Sequence, residues 1–176
     1  GLVIAAQVFP RHAFADGGSV NAYETGAGGM PGGTVWDPNV FVSIAQDGTV
    51  TIVTHRSEMG TGSRTSLPMA VADEMEADWS KVKIVQAPGD EQKYGNQDTD
   101  GSRSIRHFIQ PMRACGAAAR QMLERAAAIQ WGVSDSDCRA QNHKVVHTPT
   151  GRSLGFGELA AAAAKLPTPK ANALSL

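Results

Sequence analysis

With 176 residues the chain has the size of one domain, or of one piece of a larger one. Charged residues make up 19% and the net charge is −1, which excludes an electrostatic case for nucleic acid. Hydrophobic residues reach 41%, enough for a core, yet no run is long enough to span a membrane; aromatics are only 6%, and abundant alanine and glycine point to close backbone packing and many turns.

The chain opens Gly1-Leu-Val-Ile-Ala-Ala6, a short apolar run. It reads either as the tail of a secretory signal whose basic region is missing upstream or as an edge strand. Gly17-Gly18, Gly26 to Gly33 and Pro31 make Ala15 to Asp37 an extended linker or wrapping arm. Residues 1–37 are therefore expected as an arm, 38–170 as the folded part and 171–176 as a tail.

Asn39 to Ala45 and Thr49 to Thr54 alternate apolar and polar residues around Gln46-Asp-Gly48, a β-hairpin signal. Pro68 suits the first turn of a helix, where its missing N–H has no partner. Leu67, Ala70, Val71, Glu74 and Met75 continue at helical spacing to about Asp78, and Lys81 to Gln86 alternates like a strand. A loop is expected from Ala87 to Ile105. The longest helix is expected from Pro111 to Trp131, with Met112, Cys115, Ala119, Met122, Leu123, Ala126 and Ile129 on one stripe and Gly132 as its stop. Lys144 to His147 and Arg152 to Leu154 suggest a second small hairpin around Pro149-Thr-Gly151. Phe156 to Lys165 reads as a short alanine-rich helix, ended by Pro167 and Pro169. The sum is an α/β layer structure, with helices packed on a mostly antiparallel sheet.

Chemistry concentrates in two turns. Strand Val50–Thr54 feeds the glycine-rich Glu58-Met-Gly-Thr-Gly-Ser63, and a helix follows, an order that puts bare N–H groups at a helix start where an anion can sit. Thr61, Ser63 and Thr65 add hydroxyls, and Arg56 and Arg64 add charge. In the second turn, Asp98-Thr-Asp-Gly-Ser-Arg-Ser-Ile-Arg106, a glycine precedes two serines and two arginines, groups that suit phosphate or pyrophosphate. Each turn taken alone is equally an ordinary polar turn capping a helix. A P-loop or Rossmann nucleotide site is excluded, because no Gly-Lys-Ser/Thr and no Gly-x-Gly-x-x-Gly stands between strand and helix.

Other side chains carry weaker signals. Cys115 and Cys138 lack metal-ligand spacing, and Cys115 on an apolar face reads as a buried free thiol rather than half of a disulfide. His55 is a candidate proton carrier or a polar residue flanking a strand end. His107, near Arg103 and Arg106, faces a phosphate or solvent. His143 and His147 fall on a strand, without helical metal-site geometry. Asp73, Glu74, Glu76 and Asp78 read as a solvated face, Met69 and Met75 as core filler, and Glu58 as structural.

The motifs together resemble a known family. Strand, Glu-Met-Gly-x-Gly-x-x-Thr, helix, strand, long loop, Gly-Ser-x-Ser and alanine-rich helix follow the order of the molybdenum-binding part of xanthine dehydrogenase and aldehyde oxidase. Within that family the resemblance is to the large (beta) subunits of isoquinoline 1-oxidoreductase and of bacterial membrane-associated aldehyde dehydrogenases. It is carried by Pro38-Asn-Val-Phe-Val, Asp47-Gly-Thr-Val-Thr-Ile, Ser66-Leu-Pro-Met, Asp78-Trp-Ser-Lys-Val, Trp131-Gly-Val and Gly157-Glu-Leu-Ala, over about residues 36 to 166. Leu2-Val-Ile-Ala5 resembles the stretch after that group's twin-arginine signal, which implies a periplasmic location or one on the periplasmic side of a membrane.

The resemblance implies a molybdenum hydroxylase that oxidises aldehydes or N-heterocycles with oxygen from water. Its cofactor is molybdopterin, often as the cytosine dinucleotide. Electrons pass to [2Fe-2S] clusters on a small partner subunit and, in membrane-associated members, to cytochrome c. Gly60, Thr61 and Gly62 match the turn at the molybdenum–pterin end, and Gly101, Ser102, Arg103 and Ser104 match the turn holding pterin or phosphate groups. Two positions depart: Thr61 stands where the family usually has glutamine, and Asp100 where it often has glycine. The family's general-base glutamate lies beyond these residues, so no catalytic residue is assigned. The expectation is an N-terminal part of a large subunit, active only with a companion chain. The alternative is a non-catalytic periplasmic binding or assembly domain that kept the fold and lost the cofactor.

Overall fold

The computed structural model describes residues 37–176, so all but the last residue of the expected arm lies outside the described residues. The Asp37 carboxylate accepts from the Asn39 N–H at 3.0 Å and caps a short 3-10 turn over Pro38–Val40. The first strand therefore starts later than the alternation suggested. Strand β1 is Val42–Ile44 and β2 is Val50–Thr54, antiparallel, with Val42 opposite Ile52 and Ile44 opposite Val50. All four of these side chains are buried, as a period of two requires for one covered face. The connecting turn is closed by Asp47, which accepts from the Thr49 N–H at 2.9 Å, and by Gly48 at φ 89°.

Helix α1, Ser63–Glu74, carries the chain over to β3, Val82–Gln86, which pairs in parallel with β2. The sheet order is β1-β2-β3. Leu67, Val71, Ala72 and Met75 bury one side of this helix and its end. Pro68 is not at its first turn. The helix begins five residues earlier, after Gly62 in the left-handed conformation, and Pro68 leaves the Arg64 carbonyl without the usual N–H four residues on.

The expected loop from Ala87 to Ile105 is partly helical: α2 spans Glu91–Tyr94, and α3 already starts at Arg103. Helix α3, Arg103–Trp131, is longer than expected because its start lies at Gly101-Ser102, both at positive φ, and not at Pro111, which sits inside it. Its far end matches expectation: Gly132 at φ 66° donates back to the Ala128 and Ile129 carbonyls. This helix is the spine of the structure, packing on α1, on the first sheet, on the second sheet and on the last helix.

The second sheet has three strands where a two-stranded hairpin was expected. Strand β4, Cys138–Gln141, precedes β5, Lys144–His147, and β6, Ser153–Gly155, in an antiparallel meander. The β4–β5 turn is Asn142-His143, at φ 48° and 67°, the two-residue conformation normally signalled by Asn-Gly. His143 tolerates it because it is held on three sides. Its N–H donates to Glu76 O at 2.7 Å, its Nε2 bonds Gly48 O at 2.7 Å, and its Nδ1 accepts from the Asp78 N–H at 3.2 Å. One histidine thereby ties the second sheet to the first hairpin. Three of the four strand pairs are antiparallel and β2–β3 is the parallel one.

Helix α4, Phe156–Ala163, is started by Glu158, which accepts from the Gly155 N–H at 2.7 Å. Several burial expectations change. Met69 is 52% exposed and Ile129 59%, so neither is core, whereas Met75 is fully buried. Asp73, Glu76 and Asp78 are exposed, but Glu74 is buried against Arg113, whose Nε lies 2.7 Å from its carboxylate. Cys115 and Cys138 are both buried and free. Within the expected tail, residues 171–173 form a 3-10 turn, and Arg120 donates to Ser175 O at 2.7 Å.

Candidate functional site

The two turns meet at Ser57, just past the end of β2. Its N–H and its hydroxyl both donate to Gln97 O, at 3.0 and 2.9 Å. Its own carbonyl accepts from Thr99 Oγ1 and, at 3.5 Å, from Ser63 Oγ. Ser63 is the first residue of α1, and Thr99 stands shortly before α3. The starts of both helices are thus fastened to one peptide group.

Arg56 completes the fastening. It is fully buried, donates from Nε to Ser104 Oγ at 3.1 Å and from Nη1 to the carbonyl and side-chain oxygens of Asn96, and lies 4.6 Å from the centre of the Phe108 ring. Burial lowers its pKa below the ordinary arginine value, and the nearby Arg103 adds to that. The expectation that Arg56 offers charge outward is corrected: it points inward, and of the two arginines of the first turn only Arg64 is exposed.

In the first turn Gly60, Thr61 and Gly62 are all exposed. The N–H groups expected to be bare are occupied. Glu58 accepts from Gly60 at 2.6 Å, Gly62 at 3.0 Å and Arg64 at 2.9 Å, so the chain's own carboxylate fills the anion position. Those bonds, to Arg64 and Gly62 foremost, hold the Glu58 carboxyl below the usual range, and the structural reading of Glu58 agrees with this geometry. Gly60 at φ 89° and Gly62 at φ 81° supply the left-handed backbone that the wrap needs.

In the second turn Gly101 and Ser102 are exposed while Arg103 and Ser104 are buried. Ser102 stands at φ 56°, and α3 starts with no side-chain cap. Arg103 is paired with Asp100, its Nε 2.9 Å from the carboxylate. The residue that departs from the family glycine is thus the one that engages this arginine. Ser104 Oγ is shared between Arg56 and Thr99 Oγ1, the latter at 3.4 Å.

Nothing in the sequence marks Asn96, Gln97, Thr99 or Ser57 as members of the site. Their partners lie about forty residues away along the chain, and no local spacing signals them. Gln97 braces the loop, donating to the His55 and Pro88 carbonyls at 3.2 and 2.9 Å.

His55 is buried between Phe41 and Phe108, ring centres 5.3 and 4.6 Å away, and neither ring nitrogen has a hydrogen-bond partner. Burial, with the Arg56 charge beside it, pushes its pKa down to about 3, so it is a neutral core residue at neutral pH and not a proton carrier. His107 is half-buried on α3. His147 is on β5 as expected and bonds Thr150 Oγ1 at 2.7 Å through Nδ1, whereas His143 is in the turn before it. No group of His, Cys, Asp and Glu able to hold a metal ion occurs among the described residues.

Comparison with known proteins agrees with this architecture. The family model described as "Molybdopterin cofactor-binding domain" matches residues 13–174. Isoquinoline 1-oxidoreductase subunit beta of Brevundimonas diminuta is 38% identical over 130 residues, covering 70% of this chain and 17% of that protein. The membrane-bound aldehyde dehydrogenase [pyrroloquinoline-quinone] of Gluconacetobacter polyoxogenes is 36% identical over 132 residues, 75% of this chain and 17% of that protein. The chain therefore spans about a sixth of the length of these relatives. Among solved structures, quinoline 2-oxidoreductase from Pseudomonas putida 86 superposes with a TM-score of 0.57 at 20% identity, over 74% of this chain and 17% of that one. CO dehydrogenase from Oligotropha carboxidovorans does so with a TM-score of 0.59 at 20% identity, over 69% and 15%. These two likenesses concern the fold. The match over residues 13–174 decides the family: this chain belongs to the molybdopterin cofactor-binding domain family.

Proposed function

We propose that this chain is the N-terminal part of the large subunit of a molybdenum hydroxylase. Gly60, Thr61 and Gly62 and the turn Gly101, Ser102, Arg103 and Ser104 border its molybdopterin, in the cytosine dinucleotide form. The observation that carries the reading is the fastening of both turns to Ser57, which sets two helix starts side by side within a domain of this family.

The donors fit such a group best at the second turn. Helix α3 is 29 residues long and has no side-chain cap; the Arg103 N–H donates to Asp100 O at 2.9 Å, and the dipole and the remaining first-turn N–H groups suit an anionic oxygen, with the exposed Ser102 hydroxyl beside them. Arg103 is held in place by Asp100, so the pair brings a fixed guanidinium close by without net charge. At the first turn Glu58 takes the N–H groups, which leaves the Thr61 hydroxyl and the bare glycine edge facing outward. When bound, the cofactor supplies the redox chemistry that hydroxylates an aldehyde or N-heterocycle with oxygen from water. The residues of this chain bind and orient; none acts on substrate. The proposal includes a companion chain with the rest of the large subunit, a small [2Fe-2S] subunit, a cytochrome c subunit as acceptor, and a location in the periplasm or on the periplasmic side of a membrane.

A second reading, a binding or assembly domain without cofactor, is favoured by one observation only, the self-satisfied Glu58 turn. Elemental analysis of the natively purified protein, with its companion chains identified in the same sample, separates the two. Molybdenum and iron together with a larger companion chain are the expected result; a metal-free protein without companions would overturn the hydroxylase reading.

A further inference from the structure

All the buried side-chain polar atoms left without a hydrogen bond among the described residues fall in three consecutive residues: Thr54 Oγ1, both His55 ring nitrogens and Arg56 Nη2. Such atoms are costly and rare, and their concentration marks a place where packing has been subordinated to something else. Arg56 is the member with a geometric task. We propose that Arg56 is a positioning residue for the cofactor, fixing the spacing between the glycine turn that follows β2 and the serine turn that opens α3. The inference rests on the cofactor reading above.

A buried guanidinium is expensive without a carboxylate partner, and no carboxylate oxygen lies within ion-pair distance of Arg56 among the described residues. A methionine, three heavy atoms shorter, would cover part of Phe108 with no such penalty. Only the planar fork of arginine supplies donors in two fixed directions at once. One direction is Ser104, the second residue of α3. The other is Asn96, in the loop whose next residue, Gln97, accepts both bonds from Ser57. Arg56 is too deeply buried to touch a ligand. It acts through Ser104 on one side and through the Asn96–Thr99 loop on Ser57 and the first turn on the other.

The test uses the protein purified with its native companion chains and compares Arg56→Met, Arg56→Lys and Asn96→Ala with the parent. Molybdenum per folded protein and melting temperature are measured on each, with amide hydrogen exchange across residues 58–62 and 101–104. We expect Arg56→Met to keep its melting temperature within about 4 °C of the parent. Its retained molybdenum falls about tenfold, the scale typical of residues that orient a metal site from behind its ligands. Exchange quickens at both turns together. Arg56→Lys, which keeps a donor for Ser104, recovers part of the molybdenum. Asn96→Ala slackens the same clamp from the loop side and decides the matter if Arg56→Met does not fold. Equal molybdenum in parent and variants overturns the inference and leaves the cofactor reading intact. Loss of molybdenum matched by a large loss of melting temperature in both Arg56→Met and Asn96→Ala also overturns it, in favour of an ordinary core role. A parent without molybdenum overturns the cofactor reading and this inference together.

Discussion

Gly116 of α3 lies against Val71 of α1 so closely that a Cβ on the glycine would stand 2.4 Å from the Val71 carbonyl oxygen and 2.9 Å from Glu74 Cβ. The obstacle is backbone, which cannot swing aside as a side-chain tip does. Gly116→Ala should therefore push the helices apart and cost about 1–3 kcal/mol despite alanine's better helix propensity. Equilibrium urea unfolding measures this. An unchanged or raised midpoint would mean that the helices cross with more room than this geometry allows.

Beside that crossing, Glu74 accepts from Arg113 Nε at 2.7 Å and lies 3.6 Å from Arg120 Nη1. The carboxylate is nearly inaccessible, while the two arginine side chains keep 34% and 25% of their surface. Glu74→Ala strands two cations that can still reach water, so the loss should be about 1–3 kcal/mol, short of that for a fully buried pair. A double-mutant cycle with Arg113→Ala should return a coupling of about 1 kcal/mol or more. A coupling near zero would assign the effect of Glu74→Ala to lost packing instead.

These two contacts show what the sequence can and cannot display. The hairpin around Gln46-Asp-Gly48, strand β3, the end of α3 at Gly132 and helix α4 follow from period, turn chemistry and caps within a few residues of themselves. Glu74 looks solvated in the sequence because its neighbours Asp73, Glu76 and Asp78 are acidic; its cations come from α3, 39 and 46 residues later. The α3 start was misplaced because Pro111 looks like a first-turn proline, while the actual start uses a left-handed serine after a glycine. Strand β4 carries no local signal because its turn, Asn142-His143, owes its conformation to bonds from His143 to Glu76 O and Gly48 O and from the Asp78 N–H. At the site, both turns stood out by their glycines and serines. The clamp of Arg56, Asn96, Gln97 and Thr99 that joins them is wholly non-local, so no spacing rule points to it.

Glu58 offers a test that is largely independent of global stability. Its carboxylate is exposed, and its bonds are all to backbone N–H groups of its own turn. Glu58→Ala should leave the unfolding midpoint nearly unchanged while the amides of Gly60, Gly62 and Arg64 lose protection from hydrogen exchange. The folded-state pKa is depressed, so the ionised form that makes these bonds persists to lower pH than in a free glutamate. In the parent, protection contributed by Glu58 is present above the unfolded carboxylate pKa and is lost as pH falls through the lower folded value. Unchanged exchange at these three amides in Glu58→Ala would show that the turn holds its shape without the carboxylate.

The buried histidines set the response to mild acid. His55 falls from the ordinary 6.5 to about 3 through burial, and His143 is also lowered, again chiefly by burial. In each case the unfolded chain takes up its proton first. The stability that depends on the neutral ring is complete above pH 6.5 and declines as pH falls toward the folded pKa, by about 1.4 kcal/mol per pH unit for each fully neutral ring. Between pH 6.5 and 5 few carboxylates titrate, so the histidines dominate the slope there. His55→Leu isolates the first contribution. The ring nitrogens of His55 make no hydrogen bonds, and leucine meets the same aromatic faces of Phe41 and Phe108, so stability at pH 7 should stay within about 1.5 kcal/mol of the parent. The slope between pH 6.5 and 5 should fall by about one proton's worth. His143→Gln should behave differently, losing stability at pH 7 as well, because the bonds to Gly48 O and from the Asp78 N–H are disturbed. If His55→Leu keeps the full acid slope, His55 is reached by water or takes a proton in the folded state, and its place as a neutral core residue is lost.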